Sequence, residues 1–267
     1  MRVAFVLSLL CLIVVSSGTS AAPRSSYLDD LTSTEVHDAL QAGTTTVIIP
    51  VGGTEQSGPH MALGKHNARV KVLAGRIAAA LGDTLVAPVL AYVPEGAIAP
   101  PTGHMRFPGT ISIPDNAFKS LLDAAGRSLK QAGFTHIVLI GDHGGYQGLL
   151  RDVAAQLNRE WAGTPIRAHF IEDYYRVTQT AYVQALRAKG LSDAEIGTHA
   201  GVADTSLSLA VDPGLVRTDR LDGARNGATT GVLGDPRAST AALGQIGVEL
   251  IVTQTVAAIR KARLGPH

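Results

Sequence analysis

The sequence predicts an α/β protein with a mostly parallel sheet covered on both faces by helices. Three observations carry this. Short runs rich in Val, Ile, Leu and Thr alternate with longer segments whose apolar residues recur at helical spacing. Glycines stand at many of the boundaries and serve as stops. The composition is 45% hydrophobic but only 4% aromatic, which suits small-sided helices packed closely on a sheet. At 267 residues, with no linker-like stretch, the chain reads as one large domain.

The elements follow in order. "LTSTEVHDALQAG" is a short helix that Thr32 can cap and Gly43 follows. Residues 45–51 form a buried strand. "NARVKVLAGRIAAALGD" sets Val70, Leu73, Ile77 and Leu81 at helical spacing and stops at Gly82. "TLVAPVLAYV" reads as a second buried strand. The Pro/Gly-rich stretch 94–109 after it is long for a structureless loop, and such loops are often functional. "DNAFKSLLDAAGRSLKQAG" is a helix capped at Asp115 and stopped by Gly133. "THIVLI" is the next strand, and "GDHGGYQGLLRDVAAQLNREW" turns through glycines into another helix. "PIRAHFIE" is a strand, residues 173–190 are helical, and a C-terminal helix covers about 238–263.

The opening "MRVAFVLSLLCLIVVSSGTSAAPRSS" differs in kind. One Arg, a short apolar run from Val3 to Val15 and then small residues have the layout of a secretory signal cleaved near Ala21 or Ala22. The expected mature domain is therefore 23–267, exported to the periplasm or secreted. The run is short for a membrane span, and no later segment is expected to be one. Cys11, the single cysteine, falls inside the leader, which leaves a mature protein without thiol or disulfide chemistry. A formal charge of +1, with no basic run, argues against nucleic acid as a partner.

The chemistry-bearing residues cluster after strands. "VGGTEQSGPHMALGKHN" (51–67) places Glu55, His60, Lys65 and His66 in one turn-rich segment directly after a buried strand. "GDHGGYQG" and "THAGVADTS" likewise set a His and an acid among glycines. A parallel sheet gathers its strands' C-terminal ends along one edge, so these segments can converge. Carboxylates and imidazoles brought together suit a borderline divalent metal such as zinc. Competing motifs fail: there is no G-x-S-x-G elbow, no G-x-G-x-x-G spacing, no P-loop and no H-E-x-x-H.

"PVGGTEQSGPHMALGKH", "HMRFPGTISI", "GDHGG" and "HAGVADTSLSLAVDPGLV" resemble, in order and spacing, the creatininase (creatinine amidohydrolase) family, over nearly the whole mature chain. The resemblance implies a three-layer α/β/α fold, assembly as a homo-oligomer (often a hexamer), and metal-dependent hydrolysis of amide-type C–N bonds. Two departures stand out. Ser57 replaces a ligand His of the family pattern, and His66 replaces its metal-bridging Asp. Val202 and Asp204 stand at the two Glu positions of the "HAG" motif.

A carboxylate can join two ions, whereas a neutral imidazole binds one, so the second ion loses a ligand and the bridge together. The expected site is therefore mononuclear. Glu55, His66, His143 and Asp204 hold one divalent metal, zinc or alternatively manganese, and His199 is the catalytic proton donor beside Glu55. The substrate would be a small amide-type molecule. Asp204 could instead cap the helix it begins. His60 and His104 read as hydrogen-bonded scaffold rather than ligands, and Ser57 has no adjacent base to make it a nucleophile. The rival from another class is an inactive, small-molecule binding protein.

Overall fold

The computed structural model describes residues 23–265. The expected leader, with Cys11, lies outside the described residues. Four strands form one all-parallel sheet: β1 (Thr46–Val51), β2 (Thr84–Val86), β3 (His136–Gly141) and β4 (Arg167–Phe170), in the order β2-β1-β3-β4. Nine α-helices surround it among the described residues. They are α1 (Ser33–Gln41), α2 (Lys65–Leu81), α3 (Asp115–Ala132), α4 (Gln147–Glu160), α5 (Asp173–Gln179), α6 (Ala181–Ala188), α7 (Asp193–Ile196), α8 (Val202–Val211) and α9 (Ala241–Arg263).

The two-residue period of the strands divides the core. Val47, Ile49, Leu85, Ile137 and Leu139 face α3 and α4, against Phe118, Leu122, Leu150 and Leu157. Ile48, Val86, Val138 and Ile140 face the other way, onto Val70, Leu73 and Ile77 of α2, Tyr174 of α5 and Ile251 and Ile259 of α9. The result is three layers, with both sheet faces covered.

Several boundaries differ from expectation for local reasons. β2 is only three residues long, because Pro88 supplies no N–H, and the segment beyond touches β1 by a lone bridge, Val51 to Leu90. Asp115 is the first helical residue of α3 rather than its cap: Pro114 holds the cap position and makes no side-chain bond. The segment 173–190 breaks at Thr180, whose φ of −124° and ψ of −90° leave the helical region. α9 corrects the membrane expectation, since by length and composition it could cross a bilayer. Here it packs along α8, α5 and α2.

α2 starts at Lys65, immediately after Gly64, so Lys65 and His66 stand on its first turn rather than in the preceding loop. That start aims both side chains at the sheet's C-terminal edge. There the loop after β1 and the loop after β3 meet at the buried Tyr146 hydroxyl. It donates its one proton between the carbonyls of Val51 (2.8 Å) and Gly52 (2.6 Å) and accepts the N–H groups of Asp142 and His143, each at 3.1 Å.

Candidate metal centre

Glu55 is fully buried at the centre of this edge. Its Oε2 lies 2.8 Å from His66 Nε2. Around Oε1 stand three further imidazoles: His104 Nε2 at 3.0 Å, His143 Nε2 at 3.3 Å and His199 Nδ1 at 3.8 Å. None of the three makes a well-angled hydrogen bond to it. Glu95 closes the far side, with Oε2 3.6 Å from His143 Nε2. Its side chain is fully buried, and neither carboxylate oxygen has a hydrogen-bond partner among the described residues. Among the described residues, two sets of three donors are compact enough to hold an ion: Glu55 with His104 and His199, and Glu55 with Glu95 and His143.

The electrostatics separate these groups. Burial would raise the Glu55 carboxyl, but the His143 and His66 imidazoles and the Lys65 charge outweigh it and hold Glu55 well below the ordinary range. Burial pushes Glu95 up to about 7 against the attraction of His143, with repulsion from Glu55 adding to the rise. His199 is pushed down to about 4 by burial and then by Lys65, so its ring is neutral at neutral pH. Its Nε2 faces the Gln56 carbonyl at 3.0 Å. A proton held there leaves the Nδ1 lone pair directed at the cluster.

Beside this set lies a second, purely ionic cluster. Arg69 donates to Asp142 Oδ2 through Nε (2.9 Å) and Nη2 (2.6 Å), and through Nη1 to Asp204. Lys65, its side chain wholly buried, pairs with the other Asp204 oxygen. Burial would raise Asp204, but Lys65 and then Arg69 hold it well below the usual carboxylate range. Tyr174 donates to Asp142 Oδ1 at 2.9 Å.

Of the four expected ligands, the structure brings Glu55 and His143 to a common point and engages the other two elsewhere. His66 sits between Glu55 Oε2 (2.8 Å) and Asp142 Oδ2 (2.7 Å), and its Nδ1 also lies 3.1 Å from Arg69 Nη2, so both ring nitrogens have protein partners. Asp204 is consumed by Lys65 and Arg69. It also accepts the Ala200 N–H at 3.0 Å, four residues back, while Gly201 is the cap of α8. His60 does bond scaffold, its Nε2 lying 2.9 Å from Thr205 Oγ1. His104 departs from the scaffold reading by facing Glu55. Ser57 is buried, and its hydroxyl has no partner among the described residues.

A cavity of about 140 Å³ opens beside the cluster, lined by Lys65, His143, Tyr175, Thr198, His199 and Asp204. The stretch 219–236 braces this region. Leu233 pairs with His199 along the backbone, and the Thr230 carbonyl accepts from Gln56 Nε2 at 2.6 Å.

The creatininase family profile, described as creatinine amidohydrolase, matches residues 29–259. The chain belongs to the creatininase family. A mycofactocin precursor peptide peptidase of Mycolicibacterium smegmatis is 30% identical over 242 residues, covering 82% of this chain and 85% of that protein. The creatinine amidohydrolase of Pseudomonas putida is 29% identical over 203 residues, covering 74% and 76%. A creatininase crystal structure superposes with a TM-score of 0.75 at 25% identity, covering 91% of this chain and all of that one. Solved creatininases of similar likeness include a zinc–zinc form and a manganese form.

Within this creatininase-family chain, sequence reasoning passed over Glu95, Arg69 and the role of Lys65. Arg69 carried a usable signal. It follows Lys65 and His66 by one helical turn in a helix that is otherwise small and apolar on that face, where an unpaired cation is costly. Glu95 carried less, as one acid in a Pro/Gly-rich loop.

Proposed function

We propose that this chain is a metal-dependent hydrolase of a non-peptide amide or related C–N bond, and that it uses one divalent ion. The observation that carries this reading is the convergence on Glu55 of imidazole and carboxylate donors, with the oxygens of Glu95 and Oε1 of Glu55 buried and unbonded. Such oxygens are costly unless a proton or a cation meets them. The donor chemistry fits zinc or manganese. The partners of the nearby acids support one ion: Lys65 and Arg69 pair with Asp204 and Asp142, leaving Glu55 and Glu95 as carboxylates that no Lys or Arg meets among the described residues.

When bound, a divalent ion polarises a substrate carbonyl and lowers the pKa of a bound water to near neutrality. The remaining chemistry belongs to the chain. His199, neutral and fixed through Gln56, takes the proton of the attacking water at Nδ1 and returns it to the departing nitrogen, so water adds across the C–N bond. A cavity of about 140 Å³ is on the scale that holds one small ring, which is consistent with a small amide substrate.

The test is turnover of a panel of small amides, lactams and formamides by metal-loaded and chelator-stripped protein. His199→Gln should lower kcat about 10²–10⁴-fold while leaving metal content unchanged. Tight substrate binding with no turnover, metal present, would support the inactive binding protein instead. His66 clamped between two carboxylates is what favours that rival.

Export and assembly are further parts of the proposal. The layout of residues 1–22 supports a mature protein beginning near Ala22 or Pro23, which terminal sequencing of exported protein checks. Family membership supports a homo-oligomer, and a clean monomer mass by light scattering at micromolar concentration would count against it.

A further inference from the structure

We propose that Glu95 is a metal ligand, joining Glu55 and His143 around one divalent ion. The inference rests on the reading of the site as a metal centre. Glu95 comes from the start of the Pro/Gly-rich stretch after Val93, at a position that the family motifs singled out in the sequence do not include. Its side chain passes inward where Gly53 leaves room: a Cβ on Gly53 would stand 2.7 Å from Glu95 Oε1. Gly53 itself has a φ of +149°, which favours glycine, so the chain keeps this approach open.

The carboxylate that arrives there has no hydrogen-bond donor among the described residues. Both oxygens are buried and unbonded, and neither Lys nor Arg among the described residues pairs with it. The two nearby fixed cations, Lys65 and Arg69, are committed to Asp204 and Asp142. A fully buried carboxylate in that position is met by a proton or by a cation, and an ion shared with Glu55 and His143 would supply the cation.

The spacing agrees. Bonds of about 2.0–2.1 Å at tetrahedral angles set donor atoms roughly 3.3 Å apart. His143 Nε2 is 3.3 Å from Glu55 Oε1 and 3.6 Å from Glu95 Oε2. Ligation requires the His143 proton on Nδ1, which gives up that atom's 3.2 Å contact from the Gly145 N–H. The competing set is less even, with His104 Nε2 at 3.0 Å and His199 Nδ1 at 3.8 Å from the same oxygen. It would also occupy the lone pair that His199 needs for proton transfer.

Titration calorimetry of chelator-stripped full-length protein with Zn²⁺, comparing the unmodified chain with Glu95→Gln, tests the assignment. The expected loss of affinity is at least about 100-fold, beyond the 10–100-fold typical of groups that only support a ligand. A smaller loss overturns it. The metal-free Glu95→Gln protein should unfold no earlier than the unmodified protein, because a buried unpaired carboxylate has been removed.

If the unmodified chain binds no Zn²⁺, the metal-centre reading itself fails. If it binds one ion and Glu95→Gln binds it equally well, only the role of Glu95 fails. Anomalous diffraction from unmodified crystals soaked in Zn²⁺ avoids any folding defect of the variant. A peak within about 2.0–2.2 Å of a Glu95 oxygen supports the assignment. A peak held by Glu55, His104 and His199 overturns it.

Discussion

Asp204 is held by Lys65 and Arg69 from the first two turns of α2, and removing its charge leaves buried Lys65 without its carboxylate and Arg69 with Asp142 alone. Asp204→Asn should therefore destabilise the protein toward the low end of about 3–5 kcal/mol, because the amide keeps some hydrogen bonding and the site is not wholly closed. Urea unfolding measures this, and metal content should stay unchanged because Asp204 is not a ligand in this account. Equal stability of the variant would contradict it. The convergence of Glu55, His143 and His199 was legible in the sequence, because each stands near glycines that follow a strand or open a helix. What could not be read was the partner of each acid. Asp204 and Glu95 are both carboxylates close to the site, and their fates differ only because α2 brings Lys65 and Arg69 to one of them.

At the scale of elements, the site depends on β1 and β3 ending side by side. The Tyr146 hydroxyl ties those ends together through two carbonyls and two N–H groups. Tyr146→Phe leaves buried backbone groups unpaired and should cost about 1–3 kcal/mol. It should also weaken metal binding, since His143 follows directly on the tie. Calorimetric unfolding and a Zn²⁺ titration check both, and a variant with unchanged melting and affinity would show that the strand ends hold without it. The helices and central strands were readable from periodicity, down to the Thr32 cap of α1, whose side chain accepts from the Glu35 N–H. Boundaries were lost where a single residue decided them: Pro88 shortening β2, Thr180 parting α5 from α6, and Gly64 starting α2 early enough to carry Lys65 and His66 into the site.

Across the whole molecule, the three layers follow from strands whose alternate residues feed two apolar faces, which is why the fold class was legible without knowing any contact. The same burial makes the fold acid-sensitive away from the site. Burial, and then the charge of His136 at 3.0 Å across β3 and β4, pushes His169 down to about 4. An unfolded histidine titrates near 6.5, so between these values the unfolded chain binds the extra proton. Stability from this group is complete above about pH 6.5 and is lost as pH falls toward 4. Urea unfolding at a series of pH values should show that decline, reduced in His169→Gln, and an identical slope in the variant would contradict it. The claim that ties the scales together is that Lys65 and Arg69 take up Asp204 and Asp142, leaving carboxylate donors for one ion. Metal analysis of the purified, full-length-processed protein by plasma mass spectrometry tests this most directly. The account predicts one tightly held divalent ion per chain; two per chain, or none in protein that still hydrolyses an amide, would contradict it.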